Sequence, residues 1–269
     1  MTHPIHRFDS SSIATIGMVH LRPLPGTPRD SQGPEVITST AVGEARMLAD
    51  AGFDAILVEN MHDLPYLLRS VGPEIVASMA VATKAVVDAV TIPVGVQILA
   101  GANHAAIAVA HAAGAQFIRA EGFAYASVAD EGIFAEADAG PLLRYRRAIG
   151  AEHIAIWADV RKKHSAHALT ADLSMADLVS GTHFAGADAV IVTGPHTGSP
   201  ASDVDIDAAR AASPLPVMVG SGVTAESLPG LLNRASGVIV GSTLKVDGRW
   251  ENELDPARIS RFIKARHGH

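Results

Sequence analysis

Short apolar runs recur along the chain, separated by longer stretches rich in alanine. The runs contain mainly Val and Ile, and they are largely continuous instead of alternating with polar residues. Continuous runs of this length are typical of parallel strands that are buried on both faces. The predicted strands are residues 13–19, 55–58, 94–99, 117–120, 154–158, 189–192, 217–219 and 238–240.

The stretches between the runs have the composition of helices, and several end in the same way. Ala-Gly occurs at 51–52, 113–114 and 185–186, and each time a predicted strand begins within a few residues. Glycine ends a helix readily because it can adopt the left-handed conformation. The predicted helices are residues 36–51, 75–90, 104–113, 140–149, 175–185, 204–212, 225–235 and 256–265.

Eight strand–helix units predict an α/β fold, a single (β/α)8 TIM barrel that occupies residues 1–269. The alternative is an open doubly wound sheet, and Gly220, Gly222 and Ala225 match the loose Gly-x-Gly-x-x-Ala pattern. That match follows the seventh strand and leaves one further strand, which is too little chain for a dinucleotide-binding half. No Pro/Gly/Ser-rich linker divides the chain into two domains.

Composition and charge narrow the class of partner. With 48% hydrophobic and 18% charged residues, the chain has the composition of a globular protein. A net charge of −7 argues against nucleic acid or an anionic membrane as the main partner. Residues 1–12 lack the apolar segment of a signal peptide, and no run approaches the ~20 residues of a membrane span. The sequence therefore predicts a cytoplasmic protein without a membrane span.

Two glycine-containing turns follow the last two predicted strands. In barrels of this kind, a phosphate group often binds between the loops after strands seven and eight. Glycine lets the backbone approach a phosphate closely, and the free N–H groups at a helix start attract anions. We therefore predict a phosphate site, with the serine hydroxyls as further donors; the alternative is that both are simply tight turns. The site consists of Gly220, Ser221, Gly222, Gly241 and Ser242.

Polar residues stand at the ends of the other strands, which a barrel brings to the same mouth. The predicted catalytic residues are His20, Glu59, Asp159 and Lys163. Glu59 or Asp159 would move a proton, and Lys163 would stabilise a developing negative charge. Further predicted substrate contacts are Asn60, Gln97, Glu121, Thr193 and Gly194.

Two alternative interpretations concern the same region. Arg119 and Glu121 share one face of strand four, so they are candidates to pair with each other inside the barrel. His164 and His167, with Asp159 or Glu59, have residue types that bind a divalent metal. Two histidines at this spacing are a weak signal, so no cofactor is predicted and a metal site stays an alternative.

Several motifs along the chain resemble one known family. They read IGMVHLRPLPGTP, DAILVENMHDLPY, AEGFAYASVADEG, ADVRKKHSAH, DAVIVTGPHTGSP, GSGVT and GVIVGSTLKVDGRWEN, in this order. Together they resemble the BtpA family, named for a photosystem I biogenesis factor. The resemblance implies a TIM barrel of the ribulose-phosphate-binding kind, and it carries no catalytic assignment. The matching positions are His20, Glu59, Asn60, Glu121, Asp130, Asp159, Lys163, His164, Thr193, Gly194, Gly198, Gly222, Gly241 and Ser242.

Three functional hypotheses follow. The first is an enzyme acting on a small phosphorylated compound, such as a sugar phosphate or a nucleotide-like ester, by lyase, isomerase or glycosidic-bond chemistry. The second, suggested by the family resemblance, is a non-catalytic biogenesis or assembly factor. The third is a metal-dependent hydrolase. The Ala-rich helical surface is also compatible with a homo-oligomer.

Overall fold

Eight parallel strands close into a barrel in the computed structural model, which describes residues 13–29 and 32–267. The closure is made by the first strand, which pairs in parallel with both the eighth and the second barrel strand. This confirms the predicted (β/α)8 fold. The first twelve residues, on which the signal-peptide prediction rested, lie outside the described part. The barrel strands are β1 (Ala14–His20), β2 (Ala55–Glu59), β3 (Val94–Gln97), β4 (Phe117–Ala120), β5 (Ala155–Asp159), β6 (Ala189–Val192), β7 (Val217–Val219) and β8 (Gly237–Val240).

Helices follow most of the strands, as predicted, and one predicted helix is wrong. Residues 225–235 form turns around a short 3-10 helix, Leu228–Leu231. Pro229 removes a backbone donor and Gly230 has poor helix propensity, so an α-helix does not form there. The α-helices are α1 (Pro34–Ala51), α2 (Pro73–Ala89), α3 (Asn103–Ala113), α4 (Ala139–Ala148), α5 (Met175–Phe184), α6 (Asp203–Ala212) and α7 (Pro256–His267).

A small antiparallel sheet at the mouth of the barrel was not predicted. We call it the rim sheet; its strands are Ser127–Ala129, Gly132–Phe134 and Ser165–Ala166. The first two form a hairpin after β4, and the third comes from the loop after β5. Strands of two or three residues are too short to produce a hydrophobic pattern. The rim sheet joins the loop after β4, which contains Glu131, to the loop after β5, which contains Lys162 and Lys163.

The barrel interior is filled by apolar side chains that point inward from the strands. Two of the largest, Phe117 and Trp157, are fully buried and stacked, with ring centroids 4.0 Å apart. Gly95 on β3 makes room for this stack, because a Cβ at that position would clash with the Phe117 ring. A glycine in a strand is therefore required here by the packing of the barrel interior.

We expect Gly95→Ala to lower the free energy of unfolding by about 1–3 kcal/mol, because the added methyl overpacks the barrel interior. The matched control is Gly43→Ala in α1, where a Cβ would meet nothing within 4 Å. That substitution should raise the free energy of unfolding by about 0.5–1 kcal/mol, since alanine favours the helix. Urea denaturation of both variants measures the difference. Equal effects at the two positions would contradict the packing argument.

Candidate active site

Two adjoining cavities open at the carboxyl ends of the barrel strands. The small cavity, of about 50 Å³, lies beside the glycine turns after β7 and β8. The large cavity, of about 310 Å³, lies beside the loops after β2, β3 and β4. Glu59, Met61, Lys163 and Thr197 line both cavities. The geometry therefore defines one elongated site with a narrow end and a wide end.

The glycine turns form the wall of the small cavity. Gly222 has a positive φ of 68°, and a Cβ there would clash with Pro200, so glycine is required. Within residues 13–29 and 32–267, no atom accepts a hydrogen bond from the backbone N–H of four turn residues. Several amide donors close together form a concave site that attracts anions. The four are Gly222, Val223, Ser242 and Thr243.

The turn after β7 differs from the prediction in three respects. The N–H of Gly220 donates to the Val192 carbonyl at 2.9 Å and is not free for an anion. The chain then continues into a turn and a 3-10 helix, not into an α-helix, so the expected helix dipole is missing. The hydroxyl of Ser221 accepts a hydrogen bond from the Gly194 N–H at 2.7 Å and donates to the Ser199 carbonyl at 2.9 Å. The Ser221 hydroxyl and the Gly194 amide therefore hold the loop after β6 in place and are not available to a ligand.

Three other predicted substrate contacts are engaged elsewhere or lie apart from the cavities. Thr193 donates its hydroxyl hydrogen to the Arg161 carbonyl at 2.9 Å. The side chain of Asn60 accepts from the Leu99 N–H at 2.8 Å and so shapes the loop after β3. Gln97 is buried beside Glu59 in the strand register but lines neither cavity. Thr193 and Asn60 thus support neighbouring loops, whereas both polar side-chain atoms of Gln97 are buried without a hydrogen-bond partner among the described residues.

A buried ion pair lies at the floor of the site. Arg119 on β4 donates two hydrogen bonds to Asp159 on β5, at 3.0 and 2.9 Å, and both side chains are buried. Burial opposes the charge of Arg119, yet Asp159 holds its pKa above the ordinary value. The suggested Arg119–Glu121 pair is therefore wrong. Since both oxygens of Asp159 are engaged and it lines neither cavity, the geometry argues against the predicted base role.

Glu59 and His20 stand side by side because β1 and β2 are paired in register. The Glu59 Oε2 lies 3.6 Å from the His20 Nε2. Burial raises the pKa of Glu59, although Lys163 and Arg119 act in the opposite direction. Burial, together with the charge of Lys245, lowers the pKa of His20 well below its ordinary value. His20 is therefore neutral at physiological pH, and Glu59 is a carboxyl group suited to exchange a proton.

Lys163 lies where the two cavities meet. No carboxylate in the described part of the chain lies within 4.0 Å of its ammonium group. Burial lowers the pKa of Lys163, and the neighbouring Arg119 acts in the same direction. Arg119 is already neutralised by Asp159, so Lys163 is the positive charge left for a ligand at this point.

A second charged cluster lies at the polar end of the large cavity. Lys162 donates to Glu131 at 3.1 Å and lies 3.8 Å from Glu121. The other oxygen of Glu121 is buried and has no hydrogen-bond partner among the described residues. Burial raises the pKa of Glu121 to about 7. Glu131 was missed in the sequence because the rim sheet, which brings it to the site, has no detectable pattern.

The two candidate metal-binding histidines make other contacts. The His164 Nε2 lies 2.9 Å from the Thr197 hydroxyl, and the His167 Nε2 lies 3.0 Å from the Lys162 carbonyl oxygen. The described residues contain no group of three or more His, Cys, Asp or Glu placed to hold a metal ion.

Among the helices in the described part of the chain, none has the length and apolar character of a membrane span.

The fold and the site define a TIM-barrel protein with ionisable side chains at the carboxyl ends of its strands. Among solved structures, it resembles tryptophan synthase from Mycobacterium tuberculosis, with a TM-score of 0.62 at 16% identity, covering 98% of this chain and 100% of that one. It also resembles phosphoribosyl anthranilate isomerase from Thermus thermophilus, with a TM-score of 0.57 at 12% identity, covering 95% and 99%. These likenesses concern the fold. The model of the BtpA family matches residues 11–268, and the chain belongs to that family.

Relatives in several organisms are similar over nearly the whole chain. An uncharacterized mitochondrial protein of Caenorhabditis elegans, F13E9.13, is 44% identical over 264 residues, which is 95% of this chain and 94% of that protein. The photosystem I biogenesis protein BtpA of Synechocystis is 38% identical over 252 residues, which is 93% of this chain and 86% of that protein. Because the worm relative is named as mitochondrial, the cytoplasmic location predicted for this chain stays a prediction.

The buried Glu121 predicts a particular dependence of stability on pH. The folded protein keeps this proton up to about pH 7, whereas a glutamate exposed to water in the unfolded chain loses it near 4.5. Stability should therefore fall as pH rises between these values. In Glu121→Gln, which cannot ionise, the part of this decline that comes from Glu121 should vanish, so between pH 5 and pH 8 the variant should lose up to about 3 kcal/mol less stability than wild type. Urea denaturation at pH 5 and pH 8 measures it.

The exposed Glu136→Gln, in the loop that follows the rim hairpin, is the control and should leave the pH dependence unchanged. If Glu121→Gln and wild type give parallel stability curves, the Glu121 carboxyl ionises normally, and its assignment as a buried acid is wrong.

Proposed function

We propose that this protein is an enzyme acting on a small phosphorylated compound, with the phosphate group bound in the small cavity. The observation that carries the proposal is the group of four backbone N–H donors at Gly222, Val223, Ser242 and Thr243 beside the ammonium group of Lys163. Amide donors combined with one cation suit a phosphate dianion, because hydrogen bonds to a charged acceptor are the strong ones. The name of one fold neighbour, phosphoribosyl anthranilate isomerase, also refers to a phosphorylated substrate.

Proton transfer is assigned to Glu59. Glu59 lines both cavities, so a substrate that extends from one cavity into the other lies beside the Glu59 carboxyl group. His20, 3.6 Å away and neutral, is placed to exchange the proton with Glu59. Lys163 stabilises the negative charge that develops on the substrate. Asp159 acts indirectly, by holding Arg119 in place. This set of groups supports lyase, isomerase or glycosidic-bond chemistry.

A second candidate function is that of a non-catalytic biogenesis factor. The specific observation in its favour is the name of the Synechocystis relative, a photosystem I biogenesis protein that is 38% identical over 252 residues. Under this alternative, neither Glu59 nor Lys163 has chemistry to perform, and their substitution leaves function intact. A metal-dependent hydrolase is the third candidate, and loss of turnover after chelation would favour it.

The phosphate site is tested with Ser242→Asp, compared with Ser242→Asn as the matched control. Ser242 lines the small cavity and its φ is not restricted to glycine, so both side chains fit the backbone. A carboxylate beside the bound phosphate should weaken the binding of ribose 5-phosphate by about 10- to 100-fold, because like charges repel. Asparagine, of the same shape and neutral, should change the affinity much less. Titration calorimetry measures all three proteins.

Equal affinities of the aspartate and asparagine variants would place the phosphate elsewhere. If a panel of phosphate esters and inorganic phosphate shows no binding to the folded wild type, the proposal fails and the biogenesis factor becomes the better hypothesis.

The role of Glu59 is tested with Glu59→Gln once a turned-over ester is identified by phosphorus NMR. Turnover should fall by about 100- to 10,000-fold, because the amide cannot transfer a proton. The affinity for the ester should change little, since the phosphate end of the site is intact. Asp159→Asn should instead lower the melting temperature, as it weakens the partner of a buried arginine. A Glu59→Gln variant with normal turnover would remove Glu59 from the mechanism.

A further inference from the structure

The large cavity is wider than a phosphate group needs, and one side of it is apolar. Its volume of about 310 Å³ compares with the roughly 150 Å³ of an engineered apolar cavity that accepts benzene. Its walls include the rings of Tyr66 and Trp250 and the side chains of Met61 and Leu99. The Tyr66 hydroxyl donates to the Met61 carbonyl at 2.8 Å, which fixes the ring. The wide end of the site thus has an apolar side that includes two aromatic residues, opposite a polar end.

The polar end of this cavity is a cluster of ionisable residues, in which Glu121 has an oxygen without a partner in the described part of the chain. Glu121 is 2% exposed, and its Oε2 has no hydrogen-bond partner within the described residues. Its other oxygen lies 3.8 Å from the Lys162 ammonium, which is itself held by Glu131. A buried oxygen without a partner is costly, and a ligand that donates a hydrogen bond removes that cost. Apolar walls combined with a few placed polar groups are the arrangement that orients a small ligand.

We propose that the large cavity binds a planar heteroaromatic ring of the phosphorylated substrate, with a ring N–H or amino group donating to Glu121. The inference rests on the proposed function for the phosphate end and adds the substrate class, a phosphate ester that carries a nitrogen heterocycle. The two ends meet at Glu59 and Lys163, so the bond between the ring and the phosphate-bearing part lies beside the proton-transfer group.

The test compares ribose 5-phosphate, which has no ring, with a panel of purine and pyrimidine 5′-nucleotides. At least one nucleotide should bind wild type about 5- to 100-fold more tightly than ribose 5-phosphate, the range that stacking of one base contributes. Trp250→Leu should lower the affinity for that nucleotide to the level of ribose 5-phosphate. The affinity for ribose 5-phosphate itself should stay unchanged. Glu121→Gln should weaken the binding of nucleotides whose ring bears an amino group more than the binding of nucleotides whose ring bears an oxo group at that position. Calorimetry gives the affinities, and thermal melting shows that the variants fold.

The outcomes separate this inference from the proposed function. If ribose 5-phosphate binds and no nucleotide binds more tightly, the ring assignment is overturned while the phosphate site stands. If nucleotides bind more tightly but Trp250→Leu has no effect, the ring lies outside the large cavity and the inference fails. If no phosphate ester binds, the proposed function fails, and the binding of free indole then tests the ring cavity. Indole binding that is lost in Trp250→Leu supports the ring cavity. Absence of indole binding to wild type overturns it.

Discussion

The ion pair between Arg119 and Asp159 is the interaction on which the mouth of the barrel depends. It joins adjacent strands, β4 and β5, and both side chains are almost fully buried. Breaking such a pair costs about 3–5 kcal/mol, because the remaining charge is buried alone. Its two charges also act in opposite directions on the groups above it: Arg119 lowers the pKa of both Lys163 and Glu59, and Asp159 raises both. The ion pair therefore links the stability of the barrel to the chemistry of the site.

The site above this pair is divided between two kinds of recognition. At the narrow end, backbone amides of the turns after β7 and β8 provide directed donors that do not depend on side-chain identity. At the wide end, Tyr66 and Trp250 provide aromatic walls, and Glu121 provides one polar contact. Glu59 and Lys163 lie where the two ends meet. In the proposed binding mode, the ionisable groups lie at the middle of an extended ligand, beside the bond between its two parts.

Much of the fold was predictable because it depends on local patterns. Continuous apolar runs in a fixed order are sufficient for a parallel barrel, and the barrel in turn brings the glycine turns together. The contacts of the site were less predictable, since they depend on loop conformation. Ser221 and Thr193 stand at strand ends as a ligand-binding residue would, yet their hydroxyls hold neighbouring loops. Glu121 and Glu131 meet only through the rim sheet, whose strands are too short to recognise in the sequence.

The central claim is that the turns after β7 and β8 hold a phosphate group. A crystal structure of the protein grown with a bound phosphate ester tests it most directly. We expect the phosphate oxygens within hydrogen-bond distance of the backbone N–H groups of Gly222 and Ser242, with the Lys163 ammonium group beside them. An ester bound with its phosphate at any other place on the protein, and with the small cavity holding only water, would contradict the account.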